Sequence, residues 1–261
     1  MRRSFSSEWI RFRKTGGSGI LVMVFFVAMI SVFLFVGDGG FGPSEGDANH
    51  GPFSGVETDV TDSDGPVAPL STAVNILGVI SLALFSLSVA RDFELGTIRN
   101  LLVGEPRRAV LLAGKLLGVG AYVLLGVLIA AASAAVLAFV LAPGQDIPTD
   151  AWSLSASLGT VGTVTATGLL FGLLGAAIAM ATRSAAISIT VGAAYLLIVE
   201  SLLGLMWDAA GEWLPAGIFS AFAQGGTSSV SFEKSMALAA AYAAATLITM
   251  FVIFAKRDVT D

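Results

Sequence analysis

Ionisable side chains that could bind a partner or take part in chemistry are concentrated between Arg91 and Lys115, a charged segment flanked by two long apolar runs. A segment of this kind beside a membrane contacts water, lipid headgroups or a protein. Headgroups attract basic residues, which accounts for Arg107, Arg108 and Lys115. Headgroup binding does not account for the acidic and turn-forming residues that precede Arg107, so a protein contact also has to be considered.

Glu200 is the only charged residue deep within an apolar run. An ionisable group inside a bilayer costs roughly 2.5–3.5 kcal/mol on insertion scales, and it therefore usually faces a cavity or a partner. Two interpretations stay open from the sequence. Glu200 is either a functional group within the membrane, or a hydrogen-bonded residue that braces neighbouring helices through Tyr195 or a hydroxyl of the fourth apolar run.

Signatures of the common catalytic classes are missing from the sequence. It has no cysteine and a single histidine, His50, so it offers neither a thiolate site nor a multi-histidine zinc site. Gly114-Lys115 is the only Gly-Lys pair, but Ala109 replaces the first glycine of a P-loop and Leu116 replaces its Ser/Thr. We predict no catalytic, cofactor-binding or metal-binding residues, and no nucleic-acid partner. Any ATP chemistry must come from another chain.

Six apolar runs, each long enough to cross a membrane, would position these residues. Only 13% of the residues are charged, against about 25% in soluble domains. The sequence therefore predicts an all-α integral membrane protein with six transmembrane helices in a domain over residues 19–255. The runs are Gly19–Val36, Leu70–Ala90, Ala109–Leu141, Leu158–Ala181, Ala185–Trp207 and Ser235–Ala255.

The distribution of charge predicts the orientation. If both termini are cytoplasmic, 13 of the 14 Lys and Arg lie inside and only Lys234 lies outside, as the positive-inside rule requires. This topology gives an outer acidic loop over 37–69, an inner loop over 91–108 and a cytoplasmic tail over 256–261. We expect a multi-pass protein of the cell membrane.

An amphipathic interfacial helix is predicted in the cytoplasmic segment 1–18. Phe5, Trp9 and Phe12 are spaced to share one helical face, with basic residues turned away from it. Such a helix lies at the lipid headgroups, which makes membrane lipids a partner. The alternative is a frayed tail.

Small residues recur at helical spacing in the fourth apolar run, at Gly168, Gly172 and Ala176. This pattern is typical of closely packed helices, either within one chain or in a dimer. The fourth and fifth runs are joined by a very short inner turn that contains Arg183.

The charged segment resembles a known family signature. Its residues are Glu94-Leu-Gly96-Thr97-Ile-Arg99-Asn-Leu101-Leu102, then Pro106-Arg107-Arg108, then Leu111-Leu112-Ala-Gly114-Lys115. This pattern is similar to the inner loop of ABC transporter permeases of the exporter-like second class. The six-run layout, the basic start with Trp9 and the short turn at Arg183 extend the resemblance. Gly104-Glu105 departs from it.

The resemblance implies a permease subunit, with export as the direction, whose inner loop contacts a separate ATPase subunit that binds ATP and magnesium. It also implies a second permease copy or homologue. The segment would supply the ATPase-coupling residues, with Arg183 on the second inner turn. These residues are Arg91, Glu94, Gly96, Thr97, Arg99, Pro106, Arg107, Arg108 and Lys115.

Two other functions are compatible with the sequence. One is a non-transporting membrane scaffold or regulator that recruits a cytosolic partner through the same loop. The other is an intramembrane enzyme that uses Glu200. If the protein is a transporter, the absence of basic residues deep in the apolar runs favours apolar or cationic cargo.

Overall fold

The computed structural model describes residues 17–36, 59–97, 108–207 and 209–256. The regular structure in these residues is entirely helical. The predicted interfacial helix with Phe5, Trp9 and Phe12 lies outside the described residues, as do most of the outer loop and the tail after Lys256.

Six helices of the described residues are long and apolar enough to cross a membrane. We call them the first to sixth spans. Each coincides with one of the predicted apolar runs, with ends that differ by a few residues. The spans are Gly17–Val36, Val74–Glu94, Arg108–Leu141, Leu154–Thr182, Ala185–Met206 and Phe232–Lys256.

The outer faces of the spans are apolar. Leu21 and Phe25 of the first span are 70% and 63% exposed, while Met23 and Val27 on its other side are buried. Phe139 and Val140 of the third span are exposed in the same way. Continuous apolar surface of this kind marks contact with lipid or another protein. The architecture is that of a multi-pass membrane protein.

The second and fourth spans pack closely against each other. A Cβ atom added to Gly172 would lie 2.5 Å from the ring of Phe85, and one added to Gly175 would lie 2.5 Å from the carbonyl oxygen of Leu82. Gly168 and Ala176 belong to the same face, and Ala176 is fully buried. The small-residue face of the fourth span therefore packs against the second span of the same chain.

Three local features refine the sequence prediction. The loop predicted over 37–69 is shorter, because Gly65–Val67 forms a 3-10 turn and Ala68–Thr72 a buried helix. Trp152 covers this turn and donates a hydrogen bond to the Val60 carbonyl at 3.0 Å.

The fifth span contains a π-helical turn, Tyr195–Val199. A short helix, Pro215–Ala223, begins at Pro215, because the fixed φ of proline suits the first helical position.

Candidate functional site

The second span ends at the edge of the bundle with a turn that exposes Glu94. The helix stops at Glu94, and Gly96 follows with a φ of +62°. This left-handed conformation favours glycine, which lacks the Cβ atom that would clash, and it is common just after a helix. The residues around this turn form what we call the Glu94 end of the bundle.

Glu94 caps the fifth span. The backbone N–H of Ala185, the first residue of that span, donates a hydrogen bond to Glu94 Oε1 at 2.7 Å. The first N–H groups of a helix have no partner within the helix. A carboxylate at this position also interacts favourably with the positive end of the helix dipole. Ser184 precedes the helix and, within the described part of the chain, makes no side-chain cap of its own. Glu94 therefore supplies the cap from another span.

The short turn before Ala185 completes this contact. The fourth span ends at Thr182, and Arg183 adopts a φ of +56°, with its N–H donating to the Ala179 carbonyl at 2.8 Å. The side chain of Arg183 is exposed. The two loop regions predicted to face the same side of the membrane thus meet at the Glu94–Ala185 hydrogen bond.

An ion pair lies beneath this surface. Lys115 Nζ of the third span bonds to Asp92 Oδ2 of the second span, and each side chain is only 9% exposed. Thr97 Oγ1 donates to the other oxygen, Asp92 Oδ1, at 3.4 Å. The pair links the third span to the second, and breaking a buried pair of this kind costs about 3–5 kcal/mol.

This ion pair gives Lys115 a contact that the sequence did not predict. Lys115 was expected among the coupling residues, with headgroup anchoring as the alternative, and in the structure its side chain is buried against Asp92. Asp92 was not predicted as a site residue at all. The pair could have been suspected from the sequence, because an acidic and a basic residue lie on neighbouring apolar runs, both near the ends predicted to face the cytoplasm.

At the opposite end of the bundle, Glu200 caps a second helix. Glu200 is 8% exposed, and the backbone N–H of Gly217 donates to its Oε1 at 2.9 Å. Gly217 is the third residue of the helix Pro215–Ala223, where orphan N–H groups are expected. Glu200 thus contacts a backbone amide of this short helix, rather than the Tyr195 or fourth-span hydroxyl considered from the sequence.

The short helix is fixed to the bundle by three further hydrogen bonds. Thr163 Oγ1 and Thr167 Oγ1 of the fourth span donate to the carbonyls of Ala223 and Phe219 at 2.9 and 3.2 Å. Ser220 Oγ donates to Asn75 Oδ1 of the second span at 2.8 Å. A cavity of about 280 Å³ lies between this helix and the fifth span, with Glu200 in its wall.

The sequence profile of DUF2705, a family described as a protein of unknown function, matches residues 54–260. The match covers most of the chain and includes every residue of the site described in this subsection, while the first span precedes it. The chain belongs to the DUF2705 family. No curated protein matches it.

Several predicted residues of this DUF2705 protein can now be placed. Arg91 is half-buried in the last turn of the second span, and Gly96 is exposed after it. Arg108 begins the third span. Arg99, Pro106 and Arg107 lie outside the described residues.

Both glutamate caps of the DUF2705 chain involve the fifth span. Its first amide is held by Glu94, and its own Glu200 holds the short helix at the other end. Between them, Ser188 Oγ lies 2.8 Å from Ser86 Oγ of the second span and 3.1 Å from the Gly175 carbonyl of the fourth. The fifth span is therefore joined to its neighbours by polar contacts at Ala185, Ser188 and Glu200.

Proposed function

We propose that this protein is the membrane-spanning permease subunit of an ATP-binding-cassette transporter, and that the transporter is an exporter. Two permease subunits, identical or homologous, would assemble with separate ATPase subunits that bind ATP and magnesium. The resemblance of Glu94 to Lys115 to the inner loop of such permeases supports this proposal, and so do the six candidate spans.

The observation that carries the proposal is the hydrogen bond between Glu94 and Ala185. Glu94, in the proposed coupling loop, binds the first turn of the fifth span. Asp92, two residues earlier, is paired with Lys115 of the third span. A push on the loop would therefore move the second, third and fifth spans together. This is the mechanical property that a coupling element needs.

The proposed orientation places the Glu94 end in the cytoplasm of the cell, with both termini on that side of the plasma membrane. Thirteen of the 14 basic residues would then be cytoplasmic. Lys234 would lie on the outer side, where it pairs with Glu212 at 2.7 Å and sits 5.2 Å from the centre of the Trp213 ring.

Co-purification from native membranes tests the proposed partner. We expect a tagged wild-type chain to retain a P-loop ATPase subunit, and we expect Arg99→Glu to lose it, because the reversed charge lies in the proposed contact. Gln145→Glu is the control: it introduces a negative charge at an exposed position on the opposite end of the bundle and should leave the association unchanged.

Two results would count against this function. Retention of the ATPase by Arg99→Glu would remove the loop from the contact. A wild-type chain that retains a partner without a P-loop would favour the membrane scaffold instead.

A further inference from the structure

We propose that the cavity beside Glu200 is a binding site for a small organic ammonium ion, with the charged nitrogen on Glu200 Oε2 and a compact apolar group against Phe171 and Leu196. The inference does not rest on the permease proposal, since it concerns this chain alone.

The first observation is an unused carboxylate oxygen. Oε1 of Glu200 accepts the Gly217 amide, but Oε2 is fully buried and has no hydrogen-bond partner among the described residues. The whole residue is only 8% exposed, and its side chain forms part of the cavity wall. A buried polar atom without a partner is unfavourable. A ligand that donates a hydrogen bond would satisfy it, and an ammonium group would also balance its charge.

The cavity has the size and lining for such a ligand. Its volume is about 280 Å³, room for roughly nine water-sized groups at about 30 Å³ each. Its lining includes the apolar side chains of Phe171 and Leu196 and the polar side chains of Ser201 and Gln224, which carry oxygen acceptors. Small-molecule sites combine an apolar lining with a few polar groups in this way.

The charge of the cavity lining determines whether a cationic or an anionic ligand is favoured. Among the described residues that form the wall, Glu200 is the one ionisable side chain, and no lysine or arginine is present. An anion would therefore meet an unpaired carboxylate, whereas a cation would be attracted to it.

The geometry of the fifth span next to Glu200 is also typical of a binding site. Glu200 directly follows the π-helical turn Tyr195–Val199, and such turns are frequent at functional sites. One extra residue rotates everything after it by about 100° relative to a regular helix. Gly192, before the turn, packs against Leu82 of the second span, whereas Gly204, after it, has open space and faces the cavity.

A ligand can reach the cavity from the surface. Ser228 and Ser229 form part of its rim and are exposed. Gly225 and Gly226, with φ of +75° and +112°, precede them in the same loop. The cavity therefore runs from an exposed loop down to a buried carboxylate.

Calorimetric titration of the purified chain in lipid nanodiscs tests the inference. The probes are 2-phenylethylammonium, its neutral isostere 2-phenylethanol, and phenylacetate, which share a phenyl group and differ in charge. We expect the ammonium ion to bind at least tenfold more tightly than the alcohol, and phenylacetate not to bind. Equal affinity for ammonium and alcohol, or no binding of the ammonium ion, would overturn the proposal.

Two variants locate the binding. Glu200→Gln keeps an oxygen for the Gly217 amide and removes the charge, and we expect at least a tenfold loss of ammonium affinity. Glu233→Gln makes the same change at an exposed glutamate on the same end of the bundle and should bind as the wild type does. Undiminished binding by Glu200→Gln would refute the assignment.

A third variant keeps the test decisive if Glu200→Gln does not fold. Gly204→Leu places a side chain in the cavity, where a Cβ atom meets nothing within 4 Å, so the bundle should tolerate it. We expect it to abolish ammonium binding while the unfolding temperature is retained. A Gly204→Leu protein that binds normally would contradict the proposed location. None of these results depends on an ATPase, so they are separable from the co-purification experiment.

Discussion

The carboxylate of Glu94, at the end of the second span, accepts a 2.7 Å hydrogen bond from the backbone amide of Ala185, at the start of the fifth. The two residues are 91 positions apart in the sequence. Their contact joins the loop between the second and third spans to the turn between the fourth and fifth. It is a helix cap supplied by a different helix, so its loss would affect both packing and the relative position of two loops.

Removal of this cap should destabilise the protein. We expect Glu94→Ala to lower the free energy of unfolding by about 0.5–2 kcal/mol, the usual effect of losing a helix cap. Glu94→Gln retains an oxygen acceptor and should lose less. Thermal unfolding in detergent measures the difference, with Glu233→Ala as the control at an exposed glutamate. Equal stability of Glu94→Ala and the wild type would show that the cap contributes nothing.

The ion pair between Asp92 and Lys115 should show strong coupling in a double-mutant cycle. Lys115→Met leaves a buried carboxylate unpaired, so we expect a loss of about 3–5 kcal/mol. Combining it with Asp92→Leu removes both charges, and the double variant should be more stable than Lys115→Met alone. Losses that simply add in the double variant would mean that the two groups do not interact.

The contact between the second and fourth spans should depend on the absence of a side chain at Gly172. A Cβ atom there would lie 2.5 Å from the Phe85 ring, so we expect Gly172→Ala to cost about 1–3 kcal/mol, as overpacking does. Gly162→Ala, in the same helix but with nothing within 4 Å, is the matched control and should be neutral or stabilising. The prediction fails if the two variants unfold at the same temperature.

The six spans could be predicted from the sequence because the length of an apolar run directly reflects the thickness of the hydrocarbon it must cross. Gly96 could also be anticipated as a break, since glycine is the residue that best tolerates a left-handed turn. These features depend on local sequence, and the structure agrees with them.

The partners of the charged residues could not be predicted in the same way. Lys115 is paired with Asp92 because two helices pack in a particular register, which composition does not encode. Glu200 contacts the amide of Gly217 because a short helix folds back beside it. Both contacts join residues of different helices. The sequence offers only a coarse signal for the first pair, opposite charges at facing ends of neighbouring apolar runs, and none for the second.

The proposed orientation predicts which loops are accessible from outside the cell. The chain has no cysteine, so single cysteines can be introduced at two exposed positions at opposite ends, Arg183→Cys and Gln145→Cys. A membrane-impermeant maleimide should label position 145 in intact cells and position 183 only after permeabilisation. The reverse pattern would invert the topology.

The central claim, that the loop after Glu94 contacts an ATPase, is tested most directly by crosslinking in native membranes. Asn100→Cys lies within the proposed coupling loop and leaves Arg99 in place, while Gln145→Cys lies at the opposite end. Benzophenone-4-maleimide bonds to the introduced thiol and, on irradiation, inserts into a nearby C–H bond, so it should join position 100, and not position 145, to a subunit identified by mass spectrometry as a P-loop ATPase. A crosslink from position 100 to a protein without a P-loop, or the same ATPase captured equally from both positions, would contradict the account.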